Sequence, residues 1–268
     1  MLISLLLGVC IGLVMGLTGA GGGILAVPAL VAGMGWPMQQ AAPVALIAVG
    51  CSAALGALEG FQRRLVRYRA AIWMALAGAP CTILGNMLAR ELSQRLLLFL
   101  FASVLLWVAY RLLHRHDGGS GHVLPDKSKA GQLNPETGRF NWNAATIALV
   151  GMIGAITGVM SGLLGVGGGF VIVPMLRRYT NVSMHGIVAT SLLVIALVSG
   201  ASVGAAIWRG IVLPYDFCAY FSIASAAGML LGRVFSRSLP EQRVQQGFAV
   251  VLICVAIGLI VKASIRIV

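Results

Sequence analysis

"GLTGAGGGILAVPAL" at Gly16–Leu30 and "GLLGVGGGFVIVPML" at Gly162–Leu176 are the stretches that decide the fold of this chain. Gly21 and Gly167 set an offset of 167 − 21 = 146. At that offset Gly16, Gly19, Gly21, Gly22, Gly23, Val27, Pro28 and Leu30 each meet their own kind, and Gly8 and Gly12 meet Gly154 and Gly158. Further along, "GNMLAREL" from Gly85 answers "GRVFSRSL" from Gly232 at 232 − 85 = 147, so one residue is inserted between. The repeat therefore spans each half, and the glycine-broken segment is its most closely kept part.

Composition places these halves in lipid. The chain is 59% hydrophobic and 10% charged, with a mean hydropathy of +0.95, whereas a soluble domain carries about 25% charged residues. No charged side chain precedes Glu59, a length well beyond the ~20 apolar residues of one membrane helix. The net charge of +12 falls almost wholly between hydrophobic runs, which is the signature of membrane topology rather than of nucleic-acid binding. No basic region opens the N-terminus as it does in a signal peptide. The five cysteines sit in apolar segments without a C-x-x-C pair and read as packing residues.

Residues 1–116 form the first transmembrane repeat, 117–141 a polar linker and 142–268 the second repeat. His114, His116 and His122 lie at or in the linker, with no Cys or carboxylate frame to fix a metal geometry, so no metal or cofactor is expected. The predicted fold class is an all-α polytopic membrane protein of two homologous halves, each with a glycine-broken segment plus three full spans. Whether the halves are parallel or inverted depends on the break. If each broken segment crosses once, 12 Lys and Arg fall inside and 7 outside. If each doubles back as a hairpin, Arg177, Arg178, Arg233, Arg237 and Arg243 move in and Arg209, Lys262 and Arg266 move out, giving 14 against 5. The positive-inside rule favours the second arrangement, inverted repeats.

In lipid an unwound segment survives only where protein buries it or it lines a cavity. Unwinding followed by a restarted helix presents free N–H groups and the positive end of a dipole. Interrupted segments at matching places in two repeats point to a transporter's binding site. Glycine suits the place because it takes positive φ and lets a ligand touch backbone. Pro28 and Pro174 fit the first turns of the restarted helices or a kink there. The alternative is that the glycines only allow close helix packing. A dinucleotide fingerprint is excluded, since Ile24 and Phe170 occupy the last glycine position of G-x-G-x-x-G and no strand pattern surrounds either stretch.

With these glycine–proline motifs, the paired GxxxxR ends and the two-half layout, the chain resembles the sulfite exporter TauE/SafE family of membrane permeases over nearly its whole length. The resemblance implies transport of small sulfur-containing anions such as sulfite, sulfoacetate or other sulfonates, in a prokaryotic-type cytoplasmic membrane.

The candidate substrate-binding residues are Gly19, Gly21, Gly22, Gly23 and Pro28 in the first break and Gly165, Gly167, Gly168, Gly169 and Pro174 in the second. Thr18, Ser161, Thr190 and Ser191 add hydroxyls beside or after the breaks, though such hydroxyls also bond their own helix. Arg63 and Arg209, the only basic pair kept at the main offset, either flank the anion's route or anchor helix ends. Asn86 reads as an interhelical bond, and Glu59 and Asp216 as carboxylates at solvated boundaries. The partners expected are a small anion and the bilayer, not nucleic acid; a homo-oligomer is allowed. With no P-loop lysine motif, transport runs on an ion gradient or the anion's own. A non-transporting assembly protein is the second reading. An intramembrane enzyme is the third, but no facing catalytic set lies within the spans.

Overall fold

The computed structural model describes residues 2–114, 142–180, 182–208, 210, 214–236 and 240–265. The predicted linker, 117–141, and Arg209 lie outside the described residues. The described chain forms α1 (Leu2–Thr18), a 3-10 helix (Gly19–Leu25), α2 (Ala26–Met34), α3 (Met38–Gln62), α4 (Tyr68–Glu91) and α5 (Gln94–Leu113). It continues as α6 (Ala144–Leu164), α7 (Gly169–Tyr179), α8 (Met184–Trp208), α9 (Tyr215–Ser236) and α10 (Glu241–Ile265). Among the described residues seven helices, α3 to α6 and α8 to α10, are long and apolar enough to cross a membrane. Their outer faces expose Leu76, Leu84, Trp107, Ile223, Leu230 and Val234. Such a surface would aggregate in water and is at home against lipid tails. The protein is multi-pass.

Both broken segments double back. A Cβ placed on Gly33, near the end of α2, would lie 2.7 Å from Cδ1 of Leu7, near the start of α1. A straight helix would hold residues 7 and 33 roughly 39 Å apart at ~1.5 Å per residue. In the second half Ile172 and Leu176 of α7 share a buried cluster with Val150 and Ile153 of α6. Lys262 of α10 fixes the end of α2, donating from Nζ to the Val31 carbonyl at 2.5 Å, one of the carbonyls a helix terminus leaves without an intrahelical partner.

Helices pack in matched pairs across the molecule. A Cβ on Gly12 of α1 would lie 1.9 Å from the Ser225 carbonyl oxygen of α9, and one on Gly158 of α6 would lie 2.1 Å from the Gly78 oxygen of α4. These are the same contact twice, since 12 + 146 = 158 and 78 + 147 = 225. Only glycine admits such close backbones, and without water to expel, this packing is a main source of helix association in lipid. α3 packs on its counterpart α8 and runs antiparallel to it: Gly50 meets Ser199, Gly56 meets Leu192 and Gly60 meets Ala189. α5 packs on α10 through Phe101, Leu105 and Ala109 on one side and Phe248, Leu252 and Ala256 on the other, each pair 147 apart.

These directions sort the charges. Arg63, Arg64, Arg67, Arg69, Arg111, Arg177, Arg178, Arg233 and Arg243 lie at one end of the helices, the basic end. Arg90, Arg95 and Lys262 lie at the other.

Candidate anion site at the glycine breaks

The two breaks meet between α3 and α8. A Cβ on Gly23 would lie 3.0 Å from Val49 Cγ1 and 3.5 Å from the carbonyl oxygen of Val166, and one on Gly167 would lie 3.4 Å from that same Val49 methyl. Near-identical sequences nevertheless fold differently. In the first half Gly19–Leu25 is a 3-10 helix, so its amides are paired i to i−3. Gly19 has φ +75, Gly22 is pressed against the Met15 backbone, and Gly21 faces only the Phe248 ring and Thr18. Thr18 itself donates to the Val14 carbonyl at 2.8 Å.

In the second half the segment is open. Gly165 closes α6 with its N–H on the Ser161 carbonyl at 2.8 Å, and the next amide to find a carbonyl is Val171, on Gly168 at 3.0 Å. Between them the N–H groups of Val166, Gly167, Gly168, Gly169 and Phe170 have no acceptor among the described residues, and all five residues are buried. Gly167 and Gly168 both have φ +72, a left-handed conformation that strains any residue with a Cβ. Successive free amides in a turn can line a concave nest for an anion, and these stand at the N-terminus of α7, where the dipole adds positive potential.

Two hydroxyl residues, Thr157 and Ser199, border the second break, and a third, Ser161, follows one turn along α6. Thr157 Oγ1, Ser161 Oγ and Ser199 Oγ are buried, at 0%, 0% and 1% residue exposure, and none has a hydrogen-bond partner among the described residues. Thr157 abuts Gly168, and Ser199 Oγ would lie 3.4 Å from a Cβ on Gly167. The repeat counterparts of Thr157, Ser161 and Ser199 are Ile11, Met15 and Ala53 (157 − 146, 161 − 146, 199 − 146), so only the second half carries them. The other side chains nearest the glycines of the second break, Val27, Ala42, Val49 and Ile195, are apolar. The site is uncharged and rich in hydrogen-bond donors.

Other predicted residues stand elsewhere. Thr190 and Ser191 donate to their own helix, at 2.6 Å to the Gly186 carbonyl and 2.7 Å to the Ile187 carbonyl, and Thr190 Oγ1 also accepts the Arg67 N–H at 3.0 Å. Arg63 caps the end of α3 with its side chain 54% exposed and paired to Glu59 at 2.9 Å. Pro28 is in the first turn of α2, as one reading expected, while Pro174 lies inside α7. Thr157 and Ser199 escaped sequence reading because each sits in an apolar helix away from the motif. Comparing the halves for a hydroxyl without a counterpart would have found them.

A cavity of about 650 Å³ opens at the end of the molecule opposite the basic end. Its wall includes Gln39 and Gln40 of α3, Asn86 and Arg90 of α4, Gly162 of α6 and Ser202 of α8. It reaches to within three residues of Gly165 along α6. Asn86 Nδ2 donates to Ser202 Oγ at 3.2 Å, the interhelical bond expected of it. Among the described residues no group of three or more metal-ligating side chains occurs.

Comparison with known proteins agrees with this architecture. Two curated relatives, both described as "Probable membrane transporter protein", come from Xylella fastidiosa. The one from strain Temecula1 is 27% identical over 192 residues, covering 69% of this chain and 66% of the relative. The one from strain 9a5c is 27% identical over 186 residues with the same coverage. The match thus spans just under two thirds of each relative's length. No solved structure matches the chain. The family model described as "Sulfite exporter TauE/SafE" matches residues 4–259, and the chain belongs to that family.

Proposed function

We propose that this protein is a secondary transporter of a small sulfur oxyanion or organosulfonate, of the sulfite or sulfoacetate kind, working by alternating access around its two glycine breaks. The observation that carries the reading is the run of five buried amides, Val166 to Phe170, without an acceptor among the described residues. Each buried, unpaired N–H costs about 1–3 kcal/mol. An oxyanion seated there pairs several at once through charge-assisted bonds. Thr157, Ser161 and Ser199 extend the donor set around a pyramidal or tetrahedral head group. With no cation in the nest, binding rests on dipoles. That suits an anion whose charge is spread over several oxygens.

The halves are read as inverted repeats, which the antiparallel packing of α3 on α8 supports. The basic end faces the cytoplasm of a prokaryotic-type cell by the positive-inside rule. One break is paired as a 3-10 helix while its twin is open. Exchange of these two conformations between the halves would turn the site from one side of the membrane to the other. The open cavity beside the second break is then the access route in this state. No catalytic constellation enters the reading.

The test is a thermal-shift and proteoliposome-flux panel of sulfite, sulfate, sulfoacetate and chloride. Sulfite or a sulfonate should stabilise the protein and be carried. If Gly22→Leu and Gly168→Leu proteins fold and carry the anion normally, the glycine site is wrong.

A further inference from the structure

The two ends of the molecule can be compared residue by residue. At the open end, Asn86 and Ser202 share the cavity wall. The repeat offsets place Arg233 opposite Asn86 (86 + 147 = 233) and Gly56 opposite Ser202 (202 − 146 = 56). At the basic end the corresponding space is filled. An Nη2 of Arg233 would lie 2.9 Å from a Cβ on Gly56, with Met229 Cε at 2.5 Å and Leu192 Cδ1 at 2.9 Å from the same point. Arg233 Nη1 donates to Glu59 Oε2, joining α9 to α3. The Arg233 side chain is 23% exposed and that of Glu59 is 32% exposed. Glu59 has no acidic counterpart, since residue 205 (59 + 146) is alanine.

We infer that Arg233 is a substrate-binding residue of the path at the basic end, masked in this state by Glu59, and that the cavity at Asn86 is the same place in its open form. The inference rests on the anion-transport reading. When the basic end opens, α3 and α9 part and the guanidinium loses its carboxylate. A small oxyanion then takes the carboxylate's place, because the guanidinium fork matches two oxygens of a sulfonate or sulfite as well as those of a carboxylate. Glu59 therefore acts as a stand-in for the substrate. It gives the partly buried Arg233 a counter-charge, and it competes with the anion for the same donors. Arg233 contributes what the nest lacks, a full positive charge, at the threshold rather than at the midplane, so the anion is drawn in without being trapped.

The experiment measures sulfite uptake by the full chain in oriented proteoliposomes, with sulfite presented at the basic end. Glu59→Gln removes the competitor and should lower KM there by about 3- to 10-fold, whereas Arg233→Asn, which copies the open end, should raise it by about tenfold. Arg233→Lys should restore part of the loss, and Arg111→Gln, at the same end on α5 but lying over the Trp107 ring, should leave KM alone. Melting temperatures of all four variants report folding separately. A purely structural ion pair predicts that Glu59→Gln and Arg233→Asn impair uptake alike, and that result would overturn the inference. Wild-type KM in both variants would overturn it too. If the wild-type protein neither binds nor carries sulfite or a sulfonate, the transport reading itself falls, and this inference with it.

Discussion

Thr157 lies so close to Gly168 that a Cβ on that glycine would sit 2.1 Å from the threonine Cγ2 and 3.0 Å from its carbonyl oxygen. Here the hydroxyl-bearing face of α6 and the left-handed start of α7 form one surface. No residue but glycine holds φ +72 there without strain and also clears Thr157.

Gly168→Ala is therefore expected to close the nest. Left-handed φ in a residue with a Cβ costs about 1–3 kcal/mol, and the clash adds to it. Anion-dependent stabilisation should vanish in a thermal-shift assay. Gly151→Ala, on the same helix as Thr157 but with open space around it, should behave as wild type.

Thr157→Val and Ser199→Ala should weaken anion binding while leaving the empty protein as stable or more so. A hydrogen bond to a charged group contributes about 1.5–3 kcal/mol, or roughly 10- to 150-fold in Kd. In the empty site those hydroxyls are buried and unpaired, so removing them relieves a desolvation cost. Opposite signs for melting temperature and affinity are the diagnostic. A fall in both would reassign the pair to packing.

Thr190→Val should leave the anion's Kd within about twofold, because this hydroxyl is committed to Gly186 and Arg67. Losing the Arg67 N–H acceptor should cost about 1 kcal/mol of stability, read as a lowered melting temperature in detergent. A tenfold loss of affinity would return Thr190 to the site.

Gly158→Leu should fail to assemble, since α6 meets the α4 backbone at Gly78 with no room for a side chain. Gly258→Leu, on α10 with nothing within 4 Å of an added Cβ, should express and melt normally. Comparing the two in detergent separates glycines of the seams from glycines facing lipid. Equal behaviour would refute the packing account.

Helix boundaries and the span inventory were legible because burial in lipid demands long apolar runs, and the runs are punctuated by charge, glycine and proline. The pairing of residues 146 or 147 apart was legible as sequence identity. Arg63 is an exposed helix end paired to Glu59, and a conserved offset does not say whether a side chain faces a path or solvent. Glu59, expected at a solvated boundary, is instead partly buried in a pair that joins α3 to α9.

By itself the sequence determined that this is a membrane protein of two matched halves, broken at Gly19–Gly23 and Gly165–Gly169. Apolar length and glycine content are local quantities that no partner can change. Only the tertiary structure decided which break stands open. Two segments that share GxGGG differ because their neighbours do. One presses Gly22 against the Met15 backbone and winds into a paired 3-10 helix. Its twin is bordered by Thr157 and Ser199 and leaves five amides without an acceptor among the described residues. That difference comes from residues distant in sequence meeting across helices, and the proposed anion site exists only where they meet.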